Sequence, residues 1–138
     1  MKKHSFTLSV TLPASPDVVF AALVDAKHIL RWCGQEGRVS SSVGGKFDMF
    51  DGWVKGIVLA YEPGKRLSYT WLPGEWPENA EASLVTYRFT KAGSNTRVSL
   101  RHSKLPNAHE AKNHKRGWKE FVFDPLKEYL LSITRRCR

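Results

Sequence analysis

Between His109 and Ile133 the chain carries its one long helical period. Trp118, Val122, Leu126, Tyr129, Leu130 and Ile133 recur at spacings of three and four and fall on one helix face. From Ser5 to Ser103, by contrast, nearly everything reads as short alternating strands and turns, apart from one early helical patch. A sheet with one apolar face needs a cover, and the C-terminal helix is the only long one available. The pattern therefore predicts an α+β fold in which a curved antiparallel sheet wraps a C-terminal helix, with a cavity between them. Pro125 lies inside the helical period and should kink or briefly break it, since proline lacks a backbone donor and clashes with the preceding turn. The triplet Phe121-Val122-Phe123 faces too many directions for a simple amphipathic helix, so it is expected to be covered on more than one side.

A chain of 138 residues is read most simply as one domain, 1–138. That size buries roughly 65–70% of the unfolded surface, so neither metal nor disulfide is required to hold it. Cys33 and Cys137 have no metal-like or redox-like spacing and fit reduced thiols in a cytosolic protein. After the basic Met1-Lys2-Lys3 the residues alternate instead of forming the continuous apolar run of a signal peptide, and no window approaches a membrane span. A soluble, cytoplasmic protein without membrane insertion is expected. The formal charge is +9, but Lys and Arg are scattered, except at Arg135, Arg136 and Arg138. This reads as a solvated basic surface more than as a specific polyanion site.

Taken in order, Phe6, Leu8, Val10 and Leu12 make a half-buried strand that Pro13 stops. Ser15-Pro16-Asp17 opens a short helix with Val19, Phe20 and Leu23 on its inner face. Asp25 caps a further turn or two carrying Ile29 and Leu30 to Trp32. Gly44-Gly45 precedes a strand, and Asp51-Gly52 is the strongest hairpin signal, because both central residues of a type I′ turn need positive φ. Strands are expected from Trp53 to about Tyr61, from Lys65 to Leu72, near Ser83–Thr90 and near Thr96–Ser103. The proline-rich loop Pro73–Glu78 reads as a rim or lid.

Val19-Phe20, Trp32, Gly44-Gly45-Lys46-Phe47 and Asp51-Gly52 with Gly56 and Val58 resemble the signature of the SRPBCC (START-like) superfamily. So do Pro63 with Leu67–Trp71, Ser83–Thr86, Thr96–His102 and Gly117-Trp118. Within that superfamily the chain is most similar to the branch of homologues of the activator of the heat-shock protein 90 ATPase. The resemblance implies a helix-grip fold, with about seven strands around a long C-terminal helix and two short helices after the first strand. It does not choose among carriers, sensors, cyclases, hydrolases and co-chaperones, all of which use this fold.

Alternation and helical period turn Trp32, Phe47, Tyr69, Trp71, Tyr87 and Trp118 inward, and Val58, Val85, Leu100 and Val122 complete an apolar lining. Such a set either encloses a ligand cavity or simply fills a core. His102 shares strand parity with Val98 and Leu100. Facing inward, it could orient a ligand or act as an acid–base group near neutral pH, or it could bond a neighbour at the mouth and only shape the fold. Asp48 is expected to face solvent. A metal site is not expected: His109 and His114 are five apart, about 140° round a helix, where the zinc-protease motif needs four. No cofactor is implied. The leading expectation is a carrier or sensor for a small, largely apolar molecule, as a monomer or homodimer. The rivals are a cyclase or hydrolase using His102, and a co-chaperone-like interaction module. Nucleic acid is not an expected partner, since the rings point inward and leave no stacking platform.

Overall fold

The computed structural model describes residues 4–77 and 79–136, so Met1–Lys3, Glu78, Cys137 and Arg138 lie outside the described residues. The side chains of Arg135 and Arg136 lie outside them too, and with them the C-terminal basic cluster. Strand β1 (His4–Leu12) is followed by two short helices, α1 (Pro16–Val24) and α2 (Ala26–Cys33). Pro16 opens α1, where its missing N–H costs nothing, but Ser15 makes no side-chain capping bond. Asp25 does cap α2, accepting from the backbone N–H groups of Lys27 and His28. Gly34, at φ 77°, ends α2 in the left-handed conformation that glycine adopts without strain. Ile29 and Trp32 are buried, whereas Leu30 is exposed.

The remaining strands are β2 (Arg38–Val39), β3 (Lys46–Met49), β4 (Val54–Glu62), β5 (Arg66–Pro73), β6 (Ser83–Ala92) and β7 (Asn95–Leu105). They pair antiparallel in the order β1-β7-β6-β5-β4-β3-β2, a seven-stranded sheet. The short β2 carries no alternation of its own and forms only by pairing with β3. The β3–β4 turn holds Phe50, Asp51 and Gly52 all at positive φ, at 55°, 56° and 87°, so the left-handed stretch begins one residue before Asp51-Gly52. Gly56 is required by close approach: a Cβ there would run into the backbone carbonyl of Thr70 on β5. Near the end of β7, Lys104 at φ 60° and a register shift between His4 and Phe6 change the side-chain parity. His102 and Leu105 consequently both turn inward and are fully buried.

The C-terminal segment is three pieces: α3 (Ala108–Gly117), a π-helical turn (Trp118–Phe123) and α4 (Asp124–Arg136). The sequence predicts a kink or brief break at Pro125, and the α-helix is interrupted just before that proline by a π turn. In a regular α-helix the Pro125 ring would press on the carbonyl of Phe121, four residues back. Widening the preceding turn, with Asp124 N–H bonded to Lys119 O, relieves that contact. The extra residue also rotates the buried face, so Trp118, Val122, Phe123, Leu126 and Leu130 are all buried. Phe121 is left 61% exposed, which corrects the expectation that the whole triplet is covered. Fully burying a side chain such as Leu126 or Leu130 contributes about 2–3 kcal/mol, so α4 is held mainly by this stripe. This is the helix-grip fold. No helix among the described residues is long and apolar enough to cross a membrane.

Candidate functional site

The concave side of the sheet is filled mostly by rings. Phe47 stacks on Tyr69 with centroids 3.7 Å apart and planes 10° from parallel. Tyr87 meets Trp118 edge-on at 5.8 Å, and Trp71 lies 5.0 Å from Trp118. The Tyr69 and Tyr87 hydroxyls share one hydrogen bond of 2.7 Å within the ring pack. Burial pushes both phenols well above their ordinary range, which keeps them protonated.

A chain of hydrogen bonds ties the helix to the sheet behind these rings. Trp118 Nε1–H donates to His102 Nδ1 at 3.0 Å. An indole nitrogen only donates, so the His102 proton sits on Nε2 and is given to Ser83 Oγ at 2.9 Å. Ser83 Oγ in turn donates to the Trp71 carbonyl at 2.7 Å. His102 is fully buried, and burial, reinforced by His114 nearby, lowers its pKa from 6.5 to about 3. It is a neutral connector with both nitrogens engaged. That geometry does not suit the acid–base role considered from sequence, since protonating Nδ1 would break the Trp118 bond.

Open space lies at one end of this ring pack, not in its middle. A half-open pocket of about 200 Å³ is bordered by four parts of the chain. The β3–β4 hairpin supplies Phe50 and Trp53, and β5 with its following loop supplies Trp71 and Glu75. Helix α3 gives Glu110, Asn113, His114 and Gly117, and the π turn gives Trp118, Phe121 and Val122. The loop after β5 is tied across the mouth from both sides. Trp53 Nε1–H donates to Glu75 Oε2, and Trp76 Nε1–H donates to Glu110 Oε2, each at 3.3 Å. His114 forms part of the wall: its Nε2 accepts from Trp71 Nε1–H at 3.1 Å, leaving the proton on Nδ1, 3.0 Å from the Glu110 carbonyl. Both nitrogens of this histidine are therefore engaged as well.

Of the eleven residues predicted to line a cavity, Trp71, Trp118 and Val122 border this pocket, and His102 stands directly behind Trp118. Phe47, Tyr69 and Tyr87 belong to the packed rings, while Val58, Val85 and Leu100 are fully buried beneath them. Trp32 is held elsewhere, with its indole N–H bonded to Ala22 O at 2.7 Å. Asp48 is half-buried on the opposite face of β3 from Phe47 and Met49, with Arg38 and Lys55 as cross-strand neighbours. Sequence reasoning misses Phe50, Trp53, Glu110, Asn113, His114 and Phe121. It reaches Glu75 only through the rim loop. His109 and His114 point to different partners, His109 pairing with Asn113, and no metal-holding group of three or more His, Cys, Asp or Glu occurs among the described residues.

The family model for activator of Hsp90 ATPase homolog 1-like protein matches residues 13–131. The chain belongs to this family. Every residue that borders the pocket falls inside the matched range. The mouse activator of 90 kDa heat shock protein ATPase homolog 1 is 25% identical over 122 residues, covering 88% of this chain and 36% of the mouse protein. This member of the family thus spans about a third of the length of the curated relatives it matches. Among solved structures, an HSP90 activator from Plasmodium falciparum is 25% identical, with a TM-score of 0.83 over 91% of this chain and 95% of that one. CalU16 from Micromonospora echinospora is also 25% identical, with a TM-score of 0.78 over 97% of this chain and 80% of that one.

Proposed function

We propose that this protein binds a small, largely apolar ligand in the pocket between the sheet, the rim loop and the start of the C-terminal helix. The observation that carries this reading is the pairing of buried and exposed rings around one opening. Trp71 and Trp118 form an inner wall, while Trp53 and Phe121 stand 37% and 61% exposed at the mouth. A concave aromatic surface with a few polar groups at its edge is the ordinary form of a small-molecule site. Size narrows the ligand. An apolar cavity of roughly 150 Å³ takes a benzene, so the half-open space of about 200 Å³ accommodates one ring or a short branched chain. Binding is favoured over catalysis because His102 and His114 both have their nitrogens engaged.

A screen of single-ring fragments by thermal shift tests this. Saturable stabilisation is expected, with a ligand at a hundred times its Kd adding about 2.7 kcal/mol. Stabilisation by no fragment at millimolar concentration would count against the reading. Similarity to the mouse and Plasmodium falciparum activators supports a second reading, a co-chaperone-like interaction through the basic surface. Salt-sensitive association with a purified Hsp90 would favour it, and no association at low salt would dismiss it.

A further inference from the structure

We infer that the pocket selects ligands carrying a cationic nitrogen, an ammonium group on a small apolar body. This rests on the ligand-binding reading above and adds the charge of the ligand to it. The two charged side chains in the lining are both carboxylates, Glu75 and Glu110, although the chain as a whole is +9. Each is oriented by an indole N–H, from Trp53 and Trp76 respectively, at 3.3 Å. A neutral donor fixes a carboxylate without cancelling its charge. Glu110 Oε2 also lies 3.3 Å from His114 Nδ1, on a ring whose Nε2 accepts from Trp71 Nε1–H.

The aromatic geometry fits the same ligand. Trp53 and Trp71 meet at 78° with centroids 6.3 Å apart, making a corner, and Trp118 continues the wall at 40° to Trp71. Ring faces are the negative side of the aromatic quadrupole, so such a corner attracts an ammonium, most strongly where water is excluded. An anion of the same shape would meet both carboxylates and those faces, and would be rejected. The overall positive charge would draw anions toward the protein, so the pocket opposes the sign of the field around it.

Three molecules of one shape separate these terms: choline, its uncharged carbon isostere neohexyl alcohol, and the tert-butylacetate anion. Calorimetric titration of the full chain is expected to show choline binding at least about ten-fold more tightly than the alcohol, with no measurable binding of the anion. Glu75→Gln and Glu110→Gln keep an acceptor for the indole N–H groups while removing charge. Each should weaken choline about three- to ten-fold and leave the alcohol within about two-fold. Equal or tighter binding of the alcohol or the anion, or choline affinity unmoved by both substitutions, would overturn charge selection while leaving the pocket a binding site. Binding of none of the three, nor of any single-ring fragment, would remove both readings together.

Discussion

Lowering the pH from about 7 to about 4 is expected to cost this fold roughly 3 kcal/mol through a single residue, His102. Its folded-state pKa is about 3, against the ordinary histidine value of 6.5. Burial is the larger cause, and the His114 ring, 5.1 Å away on α3, is the smaller one. Between those two pH values the unfolded chain holds a proton on this residue that the folded protein lacks. Stability is therefore complete above about pH 6.5 and falls by about 1.4 kcal/mol per unit as the pH drops toward 3. The other groups packed around the ring are Phe6, Trp71, Trp118 and Ser83, none of which can supply a compensating charge in that range. Urea unfolding at several pH values, in wild type and His102→Gln, isolates this term. The variant should be less stable at neutral pH by about 1–3 kcal/mol, because it disturbs a buried hydrogen-bond chain. Its stability should nonetheless fall less steeply with acid. Parallel pH curves for the two proteins would contradict the burial and tautomer assigned to His102.

Trp118→Ala should be the most damaging single truncation, at about 3–5 kcal/mol. The indole is 3% exposed and packs on Trp71, Tyr87, His102 and Phe123. Truncation removes that volume from the ring pack and leaves His102 Nδ1 without its donor. Trp118→Phe keeps most of the ring area but still loses the N–H, so about 1–3 kcal/mol is expected for it. The same substitution to Ala opens the pocket wall and should abolish fragment binding under conditions where the variant remains folded. A loss below about 1 kcal/mol on truncation would mean that the ring pack is not closed around Trp118.

How much of this could be read from the residues depends on how local each cause is. Alternation in Val85, Tyr87 and Phe89 and in Val98 and Leu100 gives the inner face of the sheet without reference to anything distant. Asp25 and Asp51-Gly52 likewise state their cap and turn in their own chemistry. The π turn is half legible: Pro125 announces a disturbance, but whether the helix kinks or widens is decided by where Val122, Phe123 and Leu126 must pack. The pocket is less legible still. Trp53 follows a turn, Glu75 sits in a loop, and Glu110 and His114 lie on a polar helix with no buried residue, so no periodicity links them. They meet because the loop after β5 is tied to Trp53 on one side and to Glu110 on the other. Inwardness of the rings could be inferred; which rings fill and which enclose could not, because that depends on packing such as the 3.7 Å stack of Phe47 on Tyr69.

The most direct measurement follows the indole N–H resonances of the five tryptophans in a nitrogen-15 correlation spectrum while a single-ring fragment is added. Trp53, Trp71 and Trp118 border the pocket, Trp76 bonds its rim, and Trp32 is bonded to Ala22 away from it. Saturable shifts at Trp53, Trp71 and Trp118, with Trp32 unmoved, are expected. Shifts confined to Trp32, or no saturable shift at any of the five, would contradict a ligand site at this end of the ring pack.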